Sequence, residues 1–239
     1  SQSTEIYTDL RGNKYAAIND KGMVKYKVED RSKNTNFRSY IQLYKYDSND
    51  NPQEEKDENG NDVFVYRTTR HTERQKEGGC DWKVSGYFLV SPDIVNSEGI
   101  AKAQTMDWAT ANGYLTSANS NVYSTPSFAV TRGCAAYRGK DGLDETGTWR
   151  VPTRGECALI LLFYKKMEET QETTGFQPFA LSPKDLTYYG SATEKGGDSK
   201  DAWSMRLYAD DKMTGYGLNT GYSDKEKKEY YLRCIRDIP

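Results

Sequence analysis

The chain has little of what most metal centres and hydrolytic sites require. It contains one histidine, His71, among 239 residues. A single histidine excludes a zinc site with two histidine ligands and leaves only His71 as the base of a Ser/His/Asp triad. The neighbours of His71, residues 67–74, are polar and basic. We therefore place His71 in a solvated strand end or loop rather than in a catalytic site.

An excess of charge of one sign and long apolar runs are also lacking. Lysine and arginine number 33 against 35 aspartate and glutamate, for a net charge of -2. Such a balance removes the one-signed field that non-specific binding to nucleic acid or anionic lipid needs. The longest apolar run, residues 157–164, is far shorter than the roughly 20 residues that cross a bilayer. We expect no nucleic-acid partner and no transmembrane segment.

Aromatic residues compensate for a low apolar content. Only 36% of the residues are hydrophobic, but 13% are aromatic and 19 residues are tyrosine. Amphipathic rings of this kind fill a core, so the composition favours a folded chain over a disordered one. A mass of 27.2 kDa fits one large domain or two ordinary ones.

The four cysteines show no CxxC pair and no spacing typical of metal ligands, so we expect no metal cofactor. An even number of cysteines in a polar chain suits an oxidising compartment, although three full pairings and free thiols are all open. The chain starts at Ser1, with neither a methionine nor a charged and apolar leader. We expect that an export signal has been removed or that the chain is a fragment.

Two patterns of secondary structure follow each other along the chain. Residues 5–95 alternate in short segments, typical of antiparallel strands, and residues 14–18 and 23–28 predict a hairpin around Gly22. A weaker helical pattern lies at 127–137. Thr153 and Glu156 then form a T-x-x-E capping box that opens an apolar helix of about four turns. Short strands return after Gly175, so the order predicts an α+β fold.

Five motifs in the second half resemble one family. The C-type-lectin-like domain of bacterial surface proteins is similar to this part of the chain. Its relevant versions are the Legionella collagen-like protein C-terminal domain and the Fibrobacter major paralogous domain, as carried by fimbrial-tip adhesins of Bacteroidetes. The motifs are CAAY (134–137), WRVPTRGE (149–156), YYGSATE (188–194), AWS (202–204) and LRCIRD (232–237).

The resemblance covers about residues 85–239 and implies a domain division. Residues 1–84 are expected to form an antiparallel β-domain that links the protein to a fimbria or surface. Residues 85–239 are expected to form the lectin-like α+β domain, with two helices and a small antiparallel sheet. The resemblance also implies a disulfide between Cys134 and Cys234. For Cys157, a buried free thiol and a bridge to Cys80 both stay open.

One motif has a structural reading that needs no resemblance. A large indole precedes a short strand, and proline prevents a helix from starting before the threonine cap, so the segment predicts a sharp strand-to-helix corner. We assign to structure rather than to ligand contact Trp149, Arg150, Pro152, Thr153 and Glu156.

Departures from the family narrow the function. The strings QPF (177–179) and AWS (202–204) stand where calcium-dependent lectins carry acidic ligands, so calcium-mediated sugar binding is not expected. No cluster of reactive cysteines or metal ligands suggests catalysis. The loop-rich span 175–223 is where this superfold usually binds ligands. Its candidate ligand-binding residues are Tyr188, Tyr189, Trp203, Asp210, Tyr216, Asn219 and Tyr222.

These observations favour a non-catalytic adhesion protein of the cell surface or fimbrial tip. Its expected partners are a host or bacterial surface glycan or protein and other fimbrial subunits, and its expected location is extracellular. One alternative is a purely structural subunit of a fimbria. The other is a carbohydrate-active enzyme that uses two carboxylates, drawn from Asp198, Asp201, Asp210 and Asp211.

Overall fold

A computed structural model describes residues 4–19, 40–44, 54–56, 58–64, 66–70, 87–113, 132–194, 200–209 and 219–238. The strands, in chain order, are β1 (Thr4–Thr8), β2 (Lys14–Asn19), β3 (Tyr40–Tyr44), β4 (Glu54–Lys56), β5 (Asp62–Phe64), β6 (Tyr66–Arg70), β7 (Tyr87–Val90), β8 (Thr187–Glu194), β9 (Asp201–Leu207), β10 (Asn219–Asp224), β11 (Tyr230–Tyr231) and β12 (Ile235–Asp237). The helices are α1 (Trp108–Ala111), α2 (Arg154–Glu168) and α3 (Gln171–Thr174). Strands and helices in this order form an α+β protein with mainly antiparallel pairing.

The first sheet joins the beginning of the described chain to its end. Its strand order is β1-β2-β7-β12, and every pair is antiparallel. Strand β2 is buried on both faces, because Ala16 and Ile18 pack in one core cluster while Tyr15 and Ala17 pack in another. Burial of both faces explains why β2 has four consecutive buried residues instead of an alternating pattern.

This sheet crosses the domain boundary expected between residues 84 and 85. Strands β1 and β2 come from the first part, yet β2 pairs with β7 through Asn19 and Tyr87, and β7 pairs with β12. Residues 4–19 therefore belong to the same sheet as the C-terminal strand. The predicted hairpin between 14–18 and 23–28 also needs correction, because β1 and β7 occupy both sides of β2 at Ala17 and Ile18. Residues 23–28 lie outside the described residues.

Residues 20–86 are an insertion between two paired strands. Within the insertion, β3 pairs with β6, and β4 pairs with β5 inside that pair. The two strand pairs are thus nested like the stem of one hairpin. Asn19 and Tyr87 are partners across the β2–β7 pair, so the insertion leaves and re-enters the first sheet at one point. His71 and Cys80 lie in this insertion, outside the described residues.

The second sheet has the order β10-β9-β8-β11, with β8, β9 and β10 antiparallel and β11 parallel to β8. Helix α2 packs against both sheets through one core cluster. Leu159 and Ile160 of α2 meet Ile18 and Val90 of the first sheet, together with Met205 of the second. The apolar body of α2 is therefore the layer that joins the two sheets.

Helix α2 begins at the predicted capping box. The Thr153 side chain accepts a hydrogen bond from the Glu156 N–H, and the Glu156 carboxylate accepts one from the Thr153 N–H at 2.9 Å. Lys165 and Lys166 lie in the last turn, where cations interact favourably with the helix dipole. The predicted capping box is confirmed, and the observed 15 residues fit the expected length.

A buried ion triad fastens this corner to the last strand. Arg150 donates to both oxygens of Glu156, at 2.6 and 2.5 Å, and to both oxygens of Asp237, at 3.0 and 2.9 Å. Burial alone would lower the pKa of Arg150, but the charges of Asp237 and Glu156 outweigh it and raise that pKa further above its usual value. The guanidinium is therefore held charged inside the core.

The indole of Trp149 anchors the same corner from the other side. Trp149 is fully buried, and its Nε1 donates to the Asp144 carboxylate at 2.8 Å. Its ring contacts Tyr15 of β2 and Tyr137, with centroids 5.5 and 4.9 Å apart. Pro152 is buried as well. The corner residues therefore serve packing, which agrees with their expected structural role.

The cysteine pairing implied by the resemblance is confirmed. Cys134 and Cys234 form a disulfide with their Cα atoms 5.4 Å apart, and Cys157 is a buried free cysteine. Burial raises the pKa of the Cys157 thiol. Cys134 lies on a single 3-10 turn rather than on the expected helix. Gly133 begins that turn with a left-handed φ of 58° and donates to the Ser97 carbonyl, which is incompatible with a continuing α-helix.

Replacing residues 20–86 by a two-residue Asn-Gly turn should leave the rest of the chain folded. The turn would connect Asn19 to Tyr87, which are already paired and therefore suit a tight hairpin. Circular dichroism should show one cooperative thermal transition, and mass spectrometry without reductant should show the Cys134–Cys234 bond. A matched chain that starts at residue 87 lacks β1 and β2 and should not fold. An unfolded Asn-Gly variant would show that the insertion is part of the core.

Arg150→Met should destabilise the protein by about 3–5 kcal/mol, because it leaves two carboxylates buried without a cation. Urea denaturation at pH 7 measures the loss. Arg154→Met is the matched control one turn away and should cost about 1 kcal/mol or less, since Arg154 is only partly buried. A triple variant that adds Glu156→Gln and Asp237→Asn should recover part of the loss. Equal costs for the two single variants would contradict the account.

Candidate functional site

The predicted binding span is built largely from β8, β9 and β10. Of the seven candidate residues, Tyr188 and Tyr189 lie in β8, Trp203 lies in β9, and Asn219 and Tyr222 lie in β10. For the two β10 residues, only the backbone is among the features that the structure describes. The remaining candidates, Asp210 and Tyr216, lie outside the described residues.

The strand register separates these candidates into two rows. Tyr188 is opposite Arg206, and Arg206 is opposite Asn219 across β8, β9 and β10. Trp203 is opposite Tyr222. Successive residues of a strand point to opposite faces, and directly opposed residues share a face. The two rows therefore belong to different faces of the sheet, which we call the outer face and the α2 face.

Tyr189 serves the core on the α2 face. It is only 1% exposed, its hydroxyl donates to the Phe179 carbonyl at 2.6 Å, and its ring meets Phe179 edge-on at 5.2 Å. Burial raises the pKa of its phenol. A ring enclosed in this way has no face left for a ligand to stack on. We therefore correct the candidate set by removing Tyr189 from it.

Trp203 lies on the α2 face beside the beginning of α2. The guanidinium of Arg154, the first residue of that helix, lies 3.3 Å from the centre of the Trp203 ring. Such close stacking is a cation–π contact between two partly buried side chains. One face of the indole is thus already covered by a residue of this chain. The contact gives Trp203 a structural role at the end of the sheet.

Tyr188 and Arg206 form a cross-strand pair on the outer face. The Arg206 guanidinium carbon lies 5.2 Å from the centre of the Tyr188 ring, and its Nε donates to the Ser204 hydroxyl at 3.4 Å. Both Tyr188 and Arg206 are partly buried. The guanidinium therefore lies along the sheet and shares its rim with an aromatic ring.

Gly221 makes room for this arrangement. A Cβ atom added at Gly221 would lie 2.5 Å from the Arg206 guanidinium carbon and 2.8 Å from its Nε. Any other residue at this position would force the arginine away from the sheet. Sequence analysis missed Arg206 and Gly221. Alternation along residues 202–206 could have placed Arg206 beside Ser204, but only the register brings it to Tyr188 and Gly221.

The outer face is partly covered by the segment around α1. Trp108 and Tyr230 form a small buried cluster against which Tyr188 packs. The Trp108 Nε1 donates to the Ser191 carbonyl at 2.8 Å, which fixes this cover on β8. At Gly190 the neighbouring Tyr230 and Ala111 leave ordinary van der Waals space for a Cβ and no more. Tyr188 and Arg206 thus stand at the edge of a filled region.

One of the four acids considered for catalysis is described. Asp201 opens β9 opposite Asp224 of β10. The other three, Asp198, Asp210 and Asp211, lie outside the described residues. The structure therefore supplies no measured separation between two of these carboxylates.

Comparison with known proteins adds no relative to this geometry: no family model, no curated protein and no solved structure matches the chain. Among the residues that the structure describes, no helix is long and apolar enough to span a bilayer.

Proposed function

We propose that this chain is a non-catalytic adhesion protein of the cell surface or fimbrial tip. Its C-type-lectin-like region would hold a glycan or protein on a host or bacterial surface, and its other partners would be fimbrial subunits. In this proposal the ligand meets the outer face of the second sheet at Tyr188 and Arg206. No metal or other cofactor takes part in the contact.

The observation that carries the proposal is the Tyr188–Arg206 pair. Tyrosine and arginine are among the residue types that contribute most to binding energy at protein interfaces. A tyrosine ring offers flat contact area at a low cost in side-chain entropy, and a guanidinium offers several donors in a fixed plane. The pair is built into paired strands rather than a loop, so its geometry is set before a ligand arrives.

The disulfide supports a location outside the cytoplasm. Cys134 and Cys234 are separated by 100 residues and close a long covalent loop. In the chain-entropy model such a bond stabilises the folded state by about 4 kcal/mol. Disulfides of this kind form and persist mainly in oxidising compartments. An exported protein that must keep a rigid surface is the setting in which this bond is most useful.

Binding should distinguish the two faces of the second sheet. We expect the full chain to bind at least one member of a panel of surface glycans and matrix proteins. Arg206→Gln should then weaken binding by about tenfold or more, which corresponds to about 1.4 kcal/mol. Gly221→Ala should weaken it as well, because the new methyl group displaces Arg206. Surface plasmon resonance on the recognised ligand measures both effects.

The matched control is Arg154→Gln, which changes an arginine stacked on an indole of the α2 face. This variant should bind as the unmodified chain does, provided that all variants show the same thermal transition. Equal losses for the two faces would contradict the proposed surface. No binding to any panel member, combined with polymerisation that depends on protein concentration, would favour the structural subunit. Glycoside turnover lost on Asp201→Asn would favour the enzyme.

A further inference from the structure

Arg233 is a buried arginine whose partners are backbone carbonyls. It is 1% exposed and lies between β11 and β12. Its Nε donates to the Ser91 carbonyl at 2.7 Å, and its Nη2 donates to the carbonyls of Pro92 and Gln177, at 3.1 and 2.7 Å. One guanidinium thus holds the end of the chain to two separate loops, residues 91–94 and 176–179.

Aromatic rings cover this guanidinium. Its central carbon lies 4.4 Å from the centre of the Phe176 ring and 4.2 Å from that of Phe179. Burial lowers the pKa of Arg233, which measures the cost of keeping a cation there. Carbonyl dipoles and ring faces offset part of this cost. The charge is therefore stabilised without an ion pair to any acid of the described residues.

Two donors in this region have no hydrogen-bond partner. They are Nη1 of Arg233 and the hydroxyl of Tyr137, and both side chains are at least 98% buried. A buried donor that lacks an acceptor costs about 1–3 kcal/mol, and more when it is charged. Native proteins rarely leave such groups unsatisfied, and two in one region point to a shared acceptor.

The charges around Tyr137 place it within reach of Arg233. Burial is the main cause that raises the pKa of Tyr137, while the positive charge of Arg233 opposes the rise and the carboxylate of Asp93 adds to it. Asp93 also interacts with Arg233. The Tyr189 hydroxyl lies near the same guanidinium, but its proton is already donated to the Phe179 carbonyl.

We propose that the protein binds one small hydrogen-bond acceptor from solvent, a water molecule or a chloride ion, between Nη1 of Arg233 and the hydroxyl of Tyr137. The site is a permanent part of the fold. Arginine can only donate, and the tyrosine hydroxyl can turn its proton towards the same acceptor. Buried water commonly joins otherwise unsatisfied groups in this way, and a chloride would also balance the buried cation.

Crystals of the full disulfide-bonded chain grown in sodium bromide test the site. We expect density within about 3.3 Å of both Nη1 of Arg233 and the Tyr137 hydroxyl. An anomalous bromide signal would identify the acceptor as a halide, and density without that signal would identify it as water. Either result supports the site. A map in which no solvent atom or ion contacts both groups would overturn the proposal.

A double-mutant cycle tests the same bridge in solution. Tyr137→Phe and Arg233→Met remove one donor each, so their effects on the unfolding equilibrium constant should not multiply. The double variant should deviate from the product by a factor of about three to ten. Tyr15→Phe combined with Arg233→Met is the matched control and should be multiplicative, because the Tyr15 hydroxyl accepts a bond from the Lys140 N–H. A Tyr137 cycle no more coupled than this control would refute the bridge.

Discussion

The guanidinium of Arg150 is the contact on which the described structure depends most. It binds both oxygens of Glu156 and both oxygens of Asp237 inside the core. Glu156 also caps α2 through the Thr153 N–H. One side chain therefore fixes the direction of the central helix relative to the last strand. Because a buried charge without a partner is costly, the corner, the helix and the strand must be in place together.

The last residues of the chain extend this constraint to the other parts of the molecule. Arg233 holds two loops by their carbonyls, Cys234 is bonded to Cys134, and Ile235 pairs with Val90. Successive residues of one short segment thus reach the loops, the 3-10 turn and the first sheet. A scaffold fixed in this way can hold a cross-strand pair on the second sheet at a constant geometry. The proposed adhesive role needs that constancy.

Local chemistry predicts the elements better than it predicts their partners. The T-x-x-E cap of α2 and the strand containing Trp203 follow from short-range patterns, and the Cys134–Cys234 bond follows from a resemblance. The pairing of β2 with β7 does not, because a long insertion separates strands that meet in space. For the same reason Arg206 is absent from the sequence-based candidates, while Tyr189 is among them. Exposure and cross-strand register depend on tertiary packing, which residue type alone does not encode.

Hydrogen exchange of the intact chain, followed by mass spectrometry, tests most directly whether the C-terminal strand is part of the cooperative core. The account predicts that the amides of β12 exchange as slowly as those of β7 and of the buried part of α2, through global unfolding alone. The Ile235 and Ile238 amides, which donate to the Arg150 and Tyr87 carbonyls, are the informative ones. Fast exchange of β12 while β7 and α2 stay protected would contradict the account.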